Sequence, residues 1–317
     1  MSNPTFIISL DFELHWGRFD KYDLETYQKY YLNTIKQVVP RILECFEQYD
    51  IRASWATVGM LLAENEEEWI QFSPAIKPIY TDSKFSPYSW NNSYKNKKLH
   101  GLFAPDLVRQ IVNLKTQELA SHTFSHYYSC EKGQSSEAFM ADLQAARNIA
   151  YHKFGVLPKS LVFPRNQYNQ HVLEIAQNSG FETFRSNPKD WFWQNTQQET
   201  MLKKIFRTGD TLVSLSDNFL FDIPVHNPER ILPIPASRLL RPFRNVVFLH
   251  EIRVEKIKKE LTIAAQSNKA YHLWWHPHNF GHYPKENLYH LEQILEHFKT
   301  LKEKYGMQSM TMYDCKD

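Results

Sequence analysis

Hydrophobic and polar positions along this chain follow two periods, and the changes between them mark its elements. TFIISLDF (5–12) is a continuous β-branched and apolar run ending in an acid, which predicts a buried strand. Residues 24–49, LETYQKYYLNTIKQVVPRILECFEQY, repeat apolar positions at a spacing near 3.6 and predict a helix that Pro40 bends or breaks. IRASWATVG (51–59) predicts a second strand closed by Gly59, and a third begins near Glu118. The helix predicted over 135–154 opens at Ser135 with acids behind it and stops before Gly155. KSLVFPRN (159–166) reads as strand, 172–180 as helix and FETFRS as strand. AYHLWWHPHNFG (270–281) reads as an apolar strand entering a polar loop, followed by a helix over 285–305 and a last strand, MQSMTM.

Strands alternating with helices predict a parallel barrel or sheet. In such folds chemistry collects at the C-terminal ends of the strands. Asp11, His122, Arg165, Asp190 and His276 all fall at or just after predicted strand ends. Two stretches interrupt the alternation, an aromatic and polar one at 66–105 and a proline-rich one within 192–245. Both read as insertions on a single domain spanning 1–317, of a length expected for lids or binding edges.

Composition narrows the classes. Hydrophobic residues make up 42% of the 317, enough for a full core. Lys and Arg total 37 against 35 Asp and Glu, so no overall charge draws the chain to nucleic acid. Three scattered cysteines, Cys45, Cys130 and Cys315, support neither a disulfide framework nor a cysteine zinc site. The apolar run near the N-terminus is too short for a signal peptide, and nothing approaches the 18 or so apolar residues of a membrane span. A cytoplasmic enzyme or binding protein is expected; oligomeric state is left open.

Candidate chemistry begins with ELASHTFSH (118–126). On a helical turn His122 and His126 would share a face and could grip one metal ion, or they could simply pack. SLDFE places Asp11 and Glu13 at a strand end, where the bland reading is a pair of solvated acids. Taken together, one carboxylate and two imidazoles suit Zn²⁺ or another divalent ion with positions left open. The second acid would then serve as a base.

With these blocks in this order, the chain resembles the polysaccharide deacetylase superfamily, the carbohydrate esterase family 4 enzymes with the NodB homology domain. The resemblance rests on SLDFE, IRASWATVG, ELASHTFSH, FPRNQYN, GFETFRSNPKDWFW and HLWWHPHNFG. It implies an α/β fold, a distorted (β/α) barrel of the NodB-like type with fewer than eight units, here carrying the two insertions. It also implies metal-assisted removal of an acyl group from an N-acetylated sugar or glycan precursor. By resemblance Asp11 is the base, and Glu13, His122 and His126 are the metal ligands, with zinc the expected ion. Glu13 stands where the family usually has Asp.

Arg165 resembles the arginine that orients the base, paired with Asp190, although Pro164 precedes it where the family's Pro follows. Trp191 would wall the groove. His276 resembles the histidine that protonates the leaving nitrogen, with His278 a second candidate. Trp275, beside Trp274, either lines the cavity or fills the barrel. Since no export signal is seen, a nucleotide- or lipid-linked precursor of a surface polysaccharide fits as substrate. Two competing readings are a metal-independent hydrolase of cyclic amides or ureides on the same fold, and a non-catalytic carbohydrate-binding protein.

Overall fold

The computed structural model describes residues 3–89, 99–188, 201–202 and 219–317. β1 (Thr5–Phe12) is buried along its whole length, as a central parallel strand covered on both faces must be. β2 (Ala53–Thr57) lies on one side and β8 (Ala270–Trp275) on the other. β3 (Gln117–Ser121), β4 (Ser160–Leu161), β5 (Thr183–Ser186) and β6 (Leu232–Pro235) continue outward from β2. β7 (Arg238–Leu239) flanks β8 on the far side. Every ladder in the sheet is parallel.

The two edges of this sheet are neighbours in sequence. β6 pairs with β5, and after Ala236 and Ser237 the same extended segment pairs with β8 as β7. The amide of Ala236 donates to the Ser186 carbonyl and that of Ser237 to the His272 carbonyl, so this one bent segment closes the barrel. Residues 232–239, read from sequence as part of an insertion, therefore supply its closing strands. Their prolines mask the alternating pattern, which is why periodicity passes over them. β9 (Gln308–Met310) pairs with the start of β1, below the point where β2 takes over.

Alternation along β1 divides the core. Phe6, Ile8, Leu10 and Phe12 join the large cluster under the helices, whereas Ile7 packs inside the barrel with Ala56, Ala120, Val162 and Ile234. Around the barrel run α1 (Leu24–Asn33), α2 (Val39–Gln48), α3 (Glu66–Phe72), α4 (Pro105–Asn113), α5 (Ser136–Phe154), α6 (Gln170–Asn178), α7 (Val247–Ser267) and α8 (Pro284–Tyr305). α7 has no counterpart in the sequence reading. Between α1 and α2 the helix loosens into a π turn, Thr34–Val38, placed just before Pro40. Proline has no amide hydrogen and crowds the preceding turn, and the wider π winding is one way a chain absorbs that without breaking. Ser135 caps α5 by accepting from the Ala138 amide, and Gly155 ends it in the left-handed region. No described helix is long and apolar enough to cross a membrane.

Candidate metal centre and catalytic site

The C-terminal end of β1 delivers both acids to the barrel mouth. Asp11 is two residues beyond the inward-facing Ser9, so its side chain points inward too. The chain then leaves the sheet, and Glu13 follows, 4% exposed. Gly17 comes back against it: a Cβ at Gly17 would sit 2.0 Å from the Glu13 carboxyl carbon.

His122 and His126 follow β3, but not on a helical turn. Thr123 and His126 have φ of 64° and 54°, in the left-handed region, so the segment is an irregular loop. It is pinned from several sides. Asp142 of α5 accepts from the amides of Phe124 (2.7 Å) and Ser125 (3.2 Å) and from the Ser125 hydroxyl. The Thr123 hydroxyl accepts from the Tyr127 amide at 2.7 Å, and the His122 amide donates to the Thr57 carbonyl. Burial pushes the Asp142 carboxyl up to about 7, against its three hydrogen bonds. The i, i+4 spacing thus works through a loop that a carboxylate behind it holds in shape.

The donor set fits a divalent ion. His122 gives its Nδ1–H to the Val162 carbonyl (2.8 Å), so in the neutral ring Nε2 carries a lone pair. That lone pair faces Oε2 of Glu13 at 3.2 Å, and Nε2 of His126 lies 3.1 Å from the same oxygen. Two acceptors face each other only with a proton or a cation between them. One ligand atom from each of Glu13, His122 and His126 lies within 4.8 Å of the others, all three residues being buried. Burial alone would raise Glu13, but the charge of His276 and, where a proton rather than an ion lies between the facing atoms, the hydrogen bonds it makes with His122 and His126 hold it well below the usual carboxylate range.

Asp11 is gripped by Arg185 rather than Arg165. Nη1 of Arg185 donates to Oδ1 at 2.6 Å and Nη2 to Oδ2 at 2.8 Å, a two-point clamp between side chains that are both almost fully buried. Burial pushes Asp11 up, yet the charges of Arg185, His276 and His122 outweigh it and leave the carboxyl below its ordinary value. Trp274 covers the clamp, its ring centre 4.1 Å from the guanidinium carbon. Arg165, at φ 58° in the turn Pro164–Asn166, points elsewhere. It pairs with Asp20 (2.6 Å) and Glu131 (3.0 Å) and stacks on Tyr128 at 3.9 Å. Nothing in the strand TFRS, where Phe184 is the one apolar residue, marks Arg185 over Arg165 in the sequence.

Of the other sequence candidates, His276 stands at the mouth, its side chain 25% exposed, with Nε2 3.6 Å from both Asp11 Oδ2 and Glu13 Oε1. His278 is buried behind it, 4.0 Å from Glu13 Oε1, and burial holds its ring well below the usual imidazole range. Trp275 packs outward on Phe46 and Phe280 and fills core; Trp274 is the one inside the barrel. Asp190 and Trp191 lie outside the described residues.

Comparison with known proteins bears on the family and the fold. The family model described as polysaccharide deacetylase matches residues 19–184, a stretch holding both histidines but neither Asp11, Glu13 nor His276. Among solved structures, one from Mycobacterium smegmatis, assigned as a polysaccharide deacetylase, aligns with a TM-score of 0.61 at 12% identity, covering 99% of this chain and 88% of that one. The Puue allantoinase aligns at 0.57 and 12% identity, covering 98% and 88%. A 4-alpha-glucanotransferase from Thermococcus litoralis aligns at 0.57 and 13% identity, covering 99% of this chain and 40% of its own. Likeness at such identities shows a shared fold. No curated protein matches the sequence.

Proposed function

The chain belongs to the polysaccharide deacetylase family, and from that premise we propose that it is a metal-dependent hydrolase removing the acetyl group from an N-acetylated sugar. The substrate we assign is a nucleotide- or lipid-linked precursor of a surface polysaccharide. The observation that carries the reading is the Arg185-clamped Asp11 facing His276, directly beside the Glu13, His122 and His126 donor set.

Glu13, His122 and His126 would hold the divalent ion, for which zinc is our assignment. When bound, such an ion supplies Lewis-acid polarisation of an acyl oxygen. The remaining chemistry falls to the chain's own side chains. Asp11, kept ionised by the guanidinium, takes a proton from the attacking water as the water oxygen joins the acyl carbon. His276 donates from Nε2 to the amide nitrogen as the C–N bond breaks, because an amide anion is too poor a leaving group to depart unprotonated. The products are acetate and the free amino sugar. His276 has the exposure to meet a substrate; His278, buried behind it, supports the Glu13 side of the site.

Acetate release from a panel of free, nucleotide-linked and polymeric N-acetyl sugars tests this, with allantoin as the cyclic-amide control. Acetate should appear with at least one sugar and vanish in Asp11→Asn. Turnover of allantoin with no acetate from any sugar would overturn the reading in favour of the cyclic-amide alternative.

A further inference from the structure

Beneath Asp11 the barrel interior holds a second polar group that the reaction above does not use. We propose that Ser9 and His272 are positioning residues that orient the proposed base by locking Arg185; the role presumes the reading of Asp11 given above.

Buried polar side chains are in the great majority hydrogen-bonded. Here the partners form a directed chain. His272, fully buried on the inner face of β8, lies with Nδ1 3.1 Å from the Pro235 carbonyl. A carbonyl only accepts, so Nδ1 bears the hydrogen and Nε2 is the bare acceptor. The Ser9 hydroxyl, 2.8 Å from Nε2, must then donate to it, which turns a serine lone pair toward Arg185. Nη1 of Arg185 donates into that lone pair at 3.1 Å and to Asp11 Oδ1 at 2.6 Å. Nη2 bridges Asp11 Oδ2 and Asn166 Oδ1 (3.0 Å). Removing Ser9 takes away the guanidinium's hydrogen bond on the side away from Asp11 and Asn166, and removing His272 frees the Ser9 hydroxyl to turn its lone pair elsewhere.

His272 is not a proton carrier in this scheme. Burial, with the Arg185 charge next, pulls its pKa down to about 3, which favours the neutral ring near pH 7. Its two nitrogens are both engaged away from Asp11. The chain also ties the base to barrel closure, since Pro235 ends β6 and the Ser237 hydroxyl accepts from the His272 amide (2.9 Å). The segment that shuts the barrel thereby sets the angle of the clamp.

Two measurements on the full chain separate this from the functional reading. By NMR, the Arg185 Nη resonances should be resolved in the wild type and averaged by rotation in Ser9→Ala and His272→Phe. The ¹⁵N shifts of His272 should report a protonated Nδ1 and a bare Nε2. Unchanged Arg185 resonances in both variants, or the opposite tautomer, would overturn the proposal whatever the enzyme's substrate. In kinetics, each variant should lose about tenfold in kcat with KM within about twofold, as for a misplaced reacting group. In an Arg185→Lys background the same changes should cost almost nothing further, whereas a residue acting only on stability would give additive losses. Additive losses would likewise overturn it. Altered Arg185 resonances together with no acetate release from any substrate would leave the lock standing and the deacetylase reading refuted.

Discussion

Replacing Arg185 with methionine removes the clamp while keeping an unbranched side chain of similar length. Asp11 and Arg185 are 3% and 2% exposed, and the variant strips the carboxylate of two short charge-assisted bonds. Removing one partner of a buried pair costs about 3–5 kcal/mol when the other stays charged. Asp11 escapes part of that by taking up a proton, since burial favours the neutral form and the largest charge opposing it is gone. A protonated Asp11 accepts no proton from water, so kcat/KM near pH 7 should fall by roughly 10²–10⁴-fold, the usual worth of a general base. Arg165→Met is the control. That arginine is bound to Asp20 and Glu131, so kcat should stay within about threefold while some stability is lost. Acetate release and urea unfolding of the two variants, measured side by side, decide the matter. A collapse of activity in Arg165→Met with Arg185→Met still active would refute the assignment of the clamp.

Three further outcomes are expected. His276→Gln should lower kcat on an N-acetyl sugar by roughly 10²-fold or more but spare an aryl acetate, whose phenolate leaves without a proton; equal losses on both substrates would argue against proton donation. Gly17→Ala forces the Glu13 carboxyl to move from a contact of 2.0 Å and should weaken zinc binding by about 10–100-fold in a competing-chelator titration; unchanged affinity would contradict the Glu13 assignment. Asp142 has a folded pKa of about 7, raised from 3.8, so between those values the native state keeps a proton the unfolded chain gives up. Stability from this group is therefore full below that window, falls as pH rises through it and is flat above, by an amount on the order of 4 kcal/mol. The difference in unfolding free energy between wild type and Asp142→Asn should follow that slope from pH 5 to 8, and a pH-independent difference would refute it.

What could be read from the residues in order was whatever depends on local period and spacing. β1, α5 with its Ser135 cap and Gly155 stop, and α8 matched the reading because each carries its own signal. Asp11, Glu13, His122, His126 and His276 meet at one barrel mouth because strand ends converge there, which alternation of strand and helix already implied. The identity of the clamp was not legible. Arg165 and Arg185 both sit near strand ends, and only the left-handed turn at Arg165, which sends it toward Asp20, separates them. The closing strand was hidden because Pro233 and Pro235 erase the periodic pattern in a segment whose partners, β5 and β8, are remote in sequence. The histidine loop brings both rings to Glu13 without the expected helical turn, since its shape depends on Asp142, a residue of another element.

The account stands or falls on the ion. Metal content by mass spectrometry of the purified chain, beside a His122→Ala, His126→Ala double variant, tests it most directly. The donor set predicts about one divalent ion per chain in the wild type and none in the variant. No ion bound by either protein, even after zinc is supplied at neutral pH, would contradict it.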